Sequence, residues 1–175
     1  MRGFFAAAVA VGLLACASVQ TQGDYDQSYD FSVLQTWDWM PEPGVTRGQT
    51  GQRNPIIERR IQDAVERELA AKGYRRVEGG EPDFRVAFFA AAEDKIDVTT
   101  TYDYYGYRWR VPVAQTDVHQ YTQGTLILDI VDGSRNELVW RGTGTGVAGG
   151  GDPDQITQRI NNAVSEVLKD FPPGR

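Results

Sequence analysis

The chain has 175 residues, of which 24 are acidic and 18 basic, giving a formal charge of -6 at neutral pH. This length suits one sizeable domain rather than two. The acidic balance argues against nucleic acid and anionic lipid headgroups as partners, because both would be repelled. The chain has one cysteine and one histidine. It therefore cannot form an internal disulfide, and a metal site could use at most one thiolate and one imidazole.

The first 17 residues, MRGFFAAAVAVGLLACA, contain the three parts of a secretory signal: a basic residue, an apolar run and a small-residue end. The apolar run is too short to span a bilayer, which takes roughly 20 apolar residues. Residues 13–16 (LLAC) resemble the lipobox of bacterial lipoproteins, in which the cysteine is acylated and becomes the mature N-terminus. The alternative is an ordinary cleaved signal followed by an unmodified cysteine.

The lipobox resemblance implies a membrane anchor on Cys16, and Ala17 resembles the pattern of lipoproteins sent to the outer membrane. Each buried methylene of an acyl chain contributes about 0.8 kcal/mol, so several chains give stable attachment. We expect a signal peptide at residues 1–15, a short tether at 16–23, one domain at 24–172 and a tail at 173–175. Loss of residues 1–15, which include Arg2, leaves 160 residues and a charge of -7.

The first half of the mature chain predicts a loop, a strand and a helix. Residues 24–30 (DYDQSYD) begin like a calcium loop, but Tyr29 replaces the turn glycine, so we interpret them as a loop. Residues 31–39 are aromatic and β-branched and predict the first strand, followed by a Gly/Pro-rich loop at 41–53. Asn54 and Pro55 then predict the start of an amphipathic helix that ends at Gly73.

The second half predicts a buried strand, a hairpin and a second helix. Residues 83–92 form the strand, with 96–101 as a candidate continuation. Residues 121–132 and 137–148 form the hairpin, and Asp152 caps a helix that the prolines at 172–173 stop. Together these elements predict an α+β fold: a two-layer sandwich with an antiparallel sheet of about four to five strands and two helices packed on one face.

Several segments, in this order and spacing, resemble the DUF4136 family of bacterial lipoproteins. They are 24–26, 30–31, 36–39 (TWDW), 69–74 (LAAKGY), 82–84 (PDF), 124–132 (GTLILDIVD) and 138–142 (LVWRG). The resemblance implies an envelope lipoprotein with a two-layer α+β fold. It implies no reaction, no catalytic residue and no cofactor.

Three sequence features resemble functional sites. Residues 144–149 (GTGVAG) spell the dinucleotide pattern G-x-G-x-x-G, but acidic residues at the next helix start and the lack of a following strand favour a twisted, glycine-rich edge strand. His119 lies in a polar stretch without a partner motif, which favours a surface residue. Glu93, Asp94, Asp97 and Asp103 are candidates for paired carboxylates in glycoside chemistry, with a solvated loop as the alternative.

The strongest local excess is aromatic, and it forms the candidate partner or ligand surface: Tyr102, Tyr104, Tyr105, Tyr107 and Trp109. These side chains combine a large contact area with a polar tip, which suits an interface or a sugar-stacking surface. The alternative is a hairpin whose aromatic side chains pack across its strands.

The sequence therefore predicts a non-enzymatic binding or assembly-accessory lipoprotein at the periplasmic face of the outer membrane. Its expected partners are the membrane, through Cys16, and an envelope protein. Cofactors, metals, nucleotides and nucleic acids are not expected. The alternatives are a hydrolase of envelope polysaccharide or peptidoglycan, with two close carboxylates in a pocket, and a purely structural lipoprotein.

Overall fold

The computed structural model describes residues 19–47, 53–105 and 111–174. Cys16, Tyr107 and Trp109 lie outside these ranges. In chain order the elements are β1 (Gln20–Tyr25), a 3₁₀ turn (Phe31–Val33), β2 (Thr36–Arg47), α1 (Pro55–Ala71), β3 (Arg75–Arg76), β4 (Phe84–Tyr105), β5 (Val111–Asp132), β6 (Leu138–Val147) and α2 (Pro153–Leu168). Neither of these helices has the length and apolar character needed to cross a bilayer.

The strands form one six-stranded mixed sheet in the order β1-β6-β5-β4-β2-β3. The pairs β1–β6, β6–β5 and β5–β4 are antiparallel, whereas β2 pairs in parallel with both β3 and β4. The predicted α+β class with two helices is confirmed, but the expectation of a wholly antiparallel sheet of four to five strands is wrong. The reason is that α1 connects β2 to β4, and parallel neighbours need such a crossover connection.

Three boundaries in the first third of the chain also differ from the prediction. Phe31–Val33 form a 3₁₀ turn capped by Asp30, so the first predicted strand starts only at Thr36. β2 then continues to Arg47, through most of the predicted loop, with a register shift between Trp39 and Gly44 where the prolines lack a backbone N–H. Residues 20–23 of the predicted tether belong to β1, which pairs with β6.

Both helix starts are confirmed, and so is the hairpin predicted for residues 121–132 and 137–148, which β5 and β6 form. Asn54 Oδ1 accepts hydrogen bonds from the amides of Ile56 and Ile57 at 3.2 and 3.3 Å. Asp152 caps α2 and forms the predicted capping box with Gln155. These side chains satisfy amide groups that the first helical turn leaves without a partner in the helix.

One face of the sheet carries both helices and the hydrophobic core. Alternate residues of β4 and β5 point into it, and the fully buried members there include Phe84, Val86, Leu128 and Ile130. The core continues into the helices and an aromatic cluster: Ile61, Val65, Leu69, Val164, Leu168, Trp37, Trp140 and Phe171. The helices and this core cover only the part of β4 and β5 that lies within the sheet.

Candidate functional site

β4 and β5 extend well beyond the rest of the sheet. On one side the described part of β2 reaches Arg47, which pairs with Ala91, and on the other β6 ends by pairing Val147 with Gln123. From there β4 and β5 stay paired only with each other, as far as Tyr105 and Val111. We call residues 93–105 and 111–121 the outer ribbon. At about 3.4 Å per residue it is roughly 40 Å long.

The outer ribbon has two chemically different faces. Val98 pairs with Val118, and Ile96 lies two residues earlier on the same face. These three apolar side chains are 56%, 58% and 65% exposed. The opposite face carries charged and polar side chains that are also exposed: Glu93, Lys95, Asp97 and His119. Among the residues whose side chains are described, the ribbon therefore has an apolar row, Ile96, Val98 and Val118, on the face that continues the core side of the sheet, with Asp94 at the start of that face.

The chain enters the domain at the same end of the sheet from which the ribbon leaves. Gln20, the first residue of β1, pairs with Thr145 of β6. Thr145 pairs in turn with Thr125 of β5, which pairs with Ala91 of β4. This is the last row that also includes β2, through Arg47, and the ribbon begins two residues further along β4. The described chain therefore starts, at Val19, beside the base of the ribbon.

The structure places three of the five predicted aromatic residues in the ribbon. The Cα atoms of Tyr102, Tyr104 and Tyr105 pair with those of Ala114, Pro112 and Val111. Tyr107 and Trp109 lie outside the described residues, as does Cys16. The role of these residues as a partner surface stays a prediction.

The carboxylates proposed for glycoside chemistry do not share one face of the ribbon. Glu93 and Asp97 lie on the polar face, where the Glu93 carboxylate pairs with Lys95 Nζ at 3.1 Å. Asp94 lies on the other face and accepts a hydrogen bond from Thr122 Oγ1 at 2.9 Å. Asp103 continues β4 opposite Val113. Among the described residues, no group of three or more histidine, cysteine or carboxylate side chains could hold a metal ion.

Carboxyl groups with lowered pKa values hold turns elsewhere in the fold. Burial raises the pKa of Asp132, but hydrogen bonds from Ser134, Arg135 and Tyr29 outweigh it and hold that pKa well below its ordinary range. The Tyr29 hydroxyl donates to Asp132 at 2.7 Å, and burial together with this bond raises the pKa of Tyr29 to about 12. An ionised carboxylate in this setting stabilises a turn.

In the segment that resembles a calcium loop, Asp24 and Tyr25 end β1, whereas Asp26 and Asp30 are turn and cap residues. Asp26 Oδ1 accepts hydrogen bonds from the amide and hydroxyl of Ser28 at 2.8 and 2.6 Å. Asp30 Oδ1 accepts the same pair from Ser32, at 3.0 and 2.6 Å. These hydrogen bonds lower the pKa of both carboxyl groups. The alternating acidic and hydroxyl residues are thus explained by local turn geometry.

The glycine-rich residues 144–149 lie at the end of β6, and the expectation of an edge strand is wrong because β1 pairs with β6 on its outer side. The glycines allow close packing. A Cβ on Gly144 would lie 2.6 Å from a methyl group of Val167 in α2, so a side chain there would push the helix away. At the start of α2, the amides of Asp154 and Gln155 both donate to Asp152 Oδ1 at 2.9 Å. The helix N-terminus is therefore occupied by its own cap.

Two open grooves lie away from the ribbon. One, of about 490 Å³, lies beside α1 and includes Glu66 and Arg76, whose side chains pair at 2.8 Å. The other, of about 430 Å³, lies between β1 and the C-terminal residues and includes Lys72 and Lys169. Neither groove is lined by residues of the outer ribbon, so neither brings the proposed carboxylates together.

The model of the family described as "Domain of unknown function (DUF4136)" matches residues 21–173. The chain belongs to the DUF4136 family. The family resemblance stated from the sequence is confirmed. The structure of this DUF4136 protein is similar to that of a DUF4136 family protein from Bacteroides thetaiotaomicron, with 15% identity and a TM-score of 0.55, over 88% of this chain and 96% of the other.

Two further solved structures share the fold of this DUF4136 protein. A PDZ domain protein from Parabacteroides distasonis matches 91% of this chain at 13% identity and a TM-score of 0.56, and the match spans 38% of that protein's chain. A PelC dodecamer from Paraburkholderia phytofirmans matches 90% of this chain and 100% of its own, at 12% identity and a TM-score of 0.51. At these identities the likenesses show the fold alone. No functionally curated protein matches the sequence.

Proposed function

We propose that this DUF4136 protein is a lipid-anchored, non-catalytic binding or assembly-accessory module at the periplasmic face of the outer membrane. The observation that carries the proposal is the outer ribbon. Isolated exposed apolar residues are common on protein surfaces. A row of them on a two-stranded extension indicates an interaction surface, because burying them against a partner removes apolar area from water.

The edges of the ribbon support the same proposal. Beyond Ala91 on β4 and before Thr122 on β5, no described strand pairs with the outward-facing backbone groups. Unpaired strand edges bind extended segments by adding a strand, with main-chain hydrogen bonds supplying affinity. A partner with an extended segment or an aromatic-binding surface therefore suits the ribbon and its predicted tyrosine-rich end.

The solved PelC structure adds a separate argument for assembly. PelC, which shares this fold at a TM-score of 0.51, forms a dodecamer. A fold of this type therefore has surfaces that can support an assembly. For the present chain, the ribbon is the surface we assign to that role.

Photocrosslinking in intact envelopes tests the proposal. A photoreactive residue replaces Asp97 on the polar face of the ribbon, and a matched probe replaces Glu137, whose side chain is 67% exposed at the opposite end of the sheet. We expect a discrete crosslinked product, identified by mass spectrometry, from position 97 and not from 137. The triple variant Tyr104→Ala, Tyr105→Ala and Trp109→Ala should reduce the yield of that product.

The same experiment separates docking from the hydrolase alternative. Glu93→Gln and Asp97→Asn remove two of the proposed catalytic carboxylates while leaving the ribbon's apolar face and edges intact. A docking module should form its crosslinked product from a probe at His119 in this double variant. The same product from both ends of the sheet, or no product from the ribbon, would contradict the proposal.

A further inference from the structure

We infer that the apolar face of the outer ribbon rests on the lipid surface in which the chain is anchored. This inference rests on the proposed acyl anchor at Cys16. It names a second binding partner, the membrane itself, for the face that carries Ile96, Val98 and Val118. The polar face, with Glu93, Lys95 and Asp97, would then point away from the lipid and stay available to a protein.

The strand register places the start of the described chain close to the ribbon. The chain enters the domain near the base of the ribbon, because Gln20 pairs with Thr145, two residues before β6 ends at Val147. Cys16 precedes Val19 by three residues, which reach at most roughly 10 Å when extended. The acyl chains therefore hold this end of the sheet close to the lipid surface.

The ribbon is much longer than the tether at this end of the sheet. The ribbon extends roughly 40 Å from the sheet, whereas the tether reaches roughly 10 Å from its first described residue. A ribbon that is several times longer than the tether cannot stand upright in the gap between domain and membrane. It has to lie along the lipid surface or enter it. The exposed charges of Glu93, Lys95 and Asp97 oppose entry into the hydrocarbon core.

The side chains on the two faces of the ribbon differ near its base. Ile96, Val98 and Val118 share one face and are each more than half exposed. The opposite face carries Glu93, Lys95 and Asp97, whereas the apolar face carries one carboxylate, Asp94, at the base of the ribbon. An element with this division lies in a membrane interface with its apolar side down, as an amphipathic helix does. Because the protein is acidic, apolar contact rather than attraction to anionic lipid has to supply the binding.

Fluorescence quenching of the acylated full-length mature chain tests this inference. Acylation blocks the Cys16 thiol, so a cysteine introduced elsewhere can be labelled alone. An environment-sensitive fluorophore is placed at Val118→Cys in the ribbon or at Val33→Cys at the opposite end of the sheet. The two valines are matched, since Val118 is 58% exposed and Val33 is 57% exposed. The protein is reconstituted into phosphatidylcholine vesicles with or without brominated acyl chains.

We expect brominated lipid to quench the label at position 118 at least severalfold more strongly than the label at position 33. Equal quenching at the two positions would overturn the inference. So would a label at 118 that is shielded from water but not quenched by brominated lipid, because a second protein copy would then cover the ribbon. Mass measurement of Cys16 in the same sample distinguishes this failure from failure of the proposed function: an acylated chain without quenching at 118 refutes only the lipid contact.

Discussion

The Asp132 carboxylate accepts four hydrogen bonds at the turn between β5 and β6. The donors are the Ser134 amide and hydroxyl, the Arg135 amide and the Tyr29 hydroxyl. Because these bonds lower its pKa in the folded protein, the ionised carboxylate stabilises the fold. That contribution is complete above the ordinary carboxyl pKa of 3.8 and is lost as the pH falls below it. The ionised Asp132 carboxylate therefore stabilises the fold at neutral pH.

The variant Asp132→Asn should lower the free energy of unfolding by about 1 to 3 kcal/mol at neutral pH, since it removes a buried, hydrogen-bonded charge. The deficit should shrink as the pH falls below 3.8, where the parent chain loses the same contribution. Urea unfolding at several pH values measures both. Asp129→Asn is the control, because that carboxylate pairs with the half-exposed Arg141 and should cost about 0 to 1 kcal/mol. A deficit that widens with acid would contradict the assignment.

Replacing Gly142 tests whether the glycines of β6 are needed for close packing against α2. A Cβ there would lie 2.7 Å from a methyl group of Val167 and would also overlap Trp140. We expect Gly142→Ala to destabilise the protein by about 1 to 3 kcal/mol through overpacking. Gly23, its partner across the strand pair, is the control, because a Cβ added at Gly23 would meet no atom within 4 Å. Thermal unfolding should separate Gly142→Ala from Gly23→Ala, and equal midpoints would count against the packing role.

The elements that the sequence predicts correctly are those whose ends are determined by a few neighbouring residues. The helix starts at Asn54 and Asp152 and the hairpin around residues 133–136 were predictable, because caps and turns are encoded in a few neighbouring residues. β1 was missed because all its side chains are exposed, so it lacks an alternating pattern. The parallel pairing of β2 was missed because it depends on where α1 returns the chain.

The ribbon likewise could not be predicted from neighbouring residues alone. Residues 96–101 were identified as a candidate continuation of β4, yet nothing local indicates that both strands leave the sheet together. That property depends on where β2 and β6 end, at Arg47 and Val147. The tyrosine-rich stretch was recognised from composition, and its first three members lie in β4. That the ribbon shares its end of the sheet with the N-terminus follows only from the strand register.

The ribbon lies outside the hydrophobic core, so its apolar residues can be changed without unfolding the domain. The double variant Ile96→Ser and Val118→Ser should change the free energy of unfolding by no more than about 0.5 kcal/mol, as expected for exposed positions. It should reduce association of the unacylated Cys16→Ser chain with phosphatidylcholine vesicles in flotation assays. Val33→Ser with Leu138→Ser, which alters exposed residues at the opposite end, is the control. Equal loss of flotation in both pairs would contradict a specific role for the ribbon.

At the scale of the whole molecule, the register joins two features that are far apart in the sequence. The proposed anchor at Cys16 and the outer ribbon both lie at one end of the sheet, and the Asp132 turn lies at the other. A protein built this way meets the membrane with its ribbon end and holds the opposite end away from it. This polarity favours action by contact at a surface.

The mass of the mature N-terminal peptide, from protein extracted from envelopes, tests this account most directly. We predict a peptide that begins at Cys16 and carries lipid on that residue, with the protein recovered in the outer-membrane fraction. The variant Cys16→Ser should move most of the chain out of that fraction, because the remaining ribbon contact is weaker than an acyl anchor. A peptide with an unmodified Cys16 thiol, from a chain that is freely soluble after cell fractionation, would contradict the account.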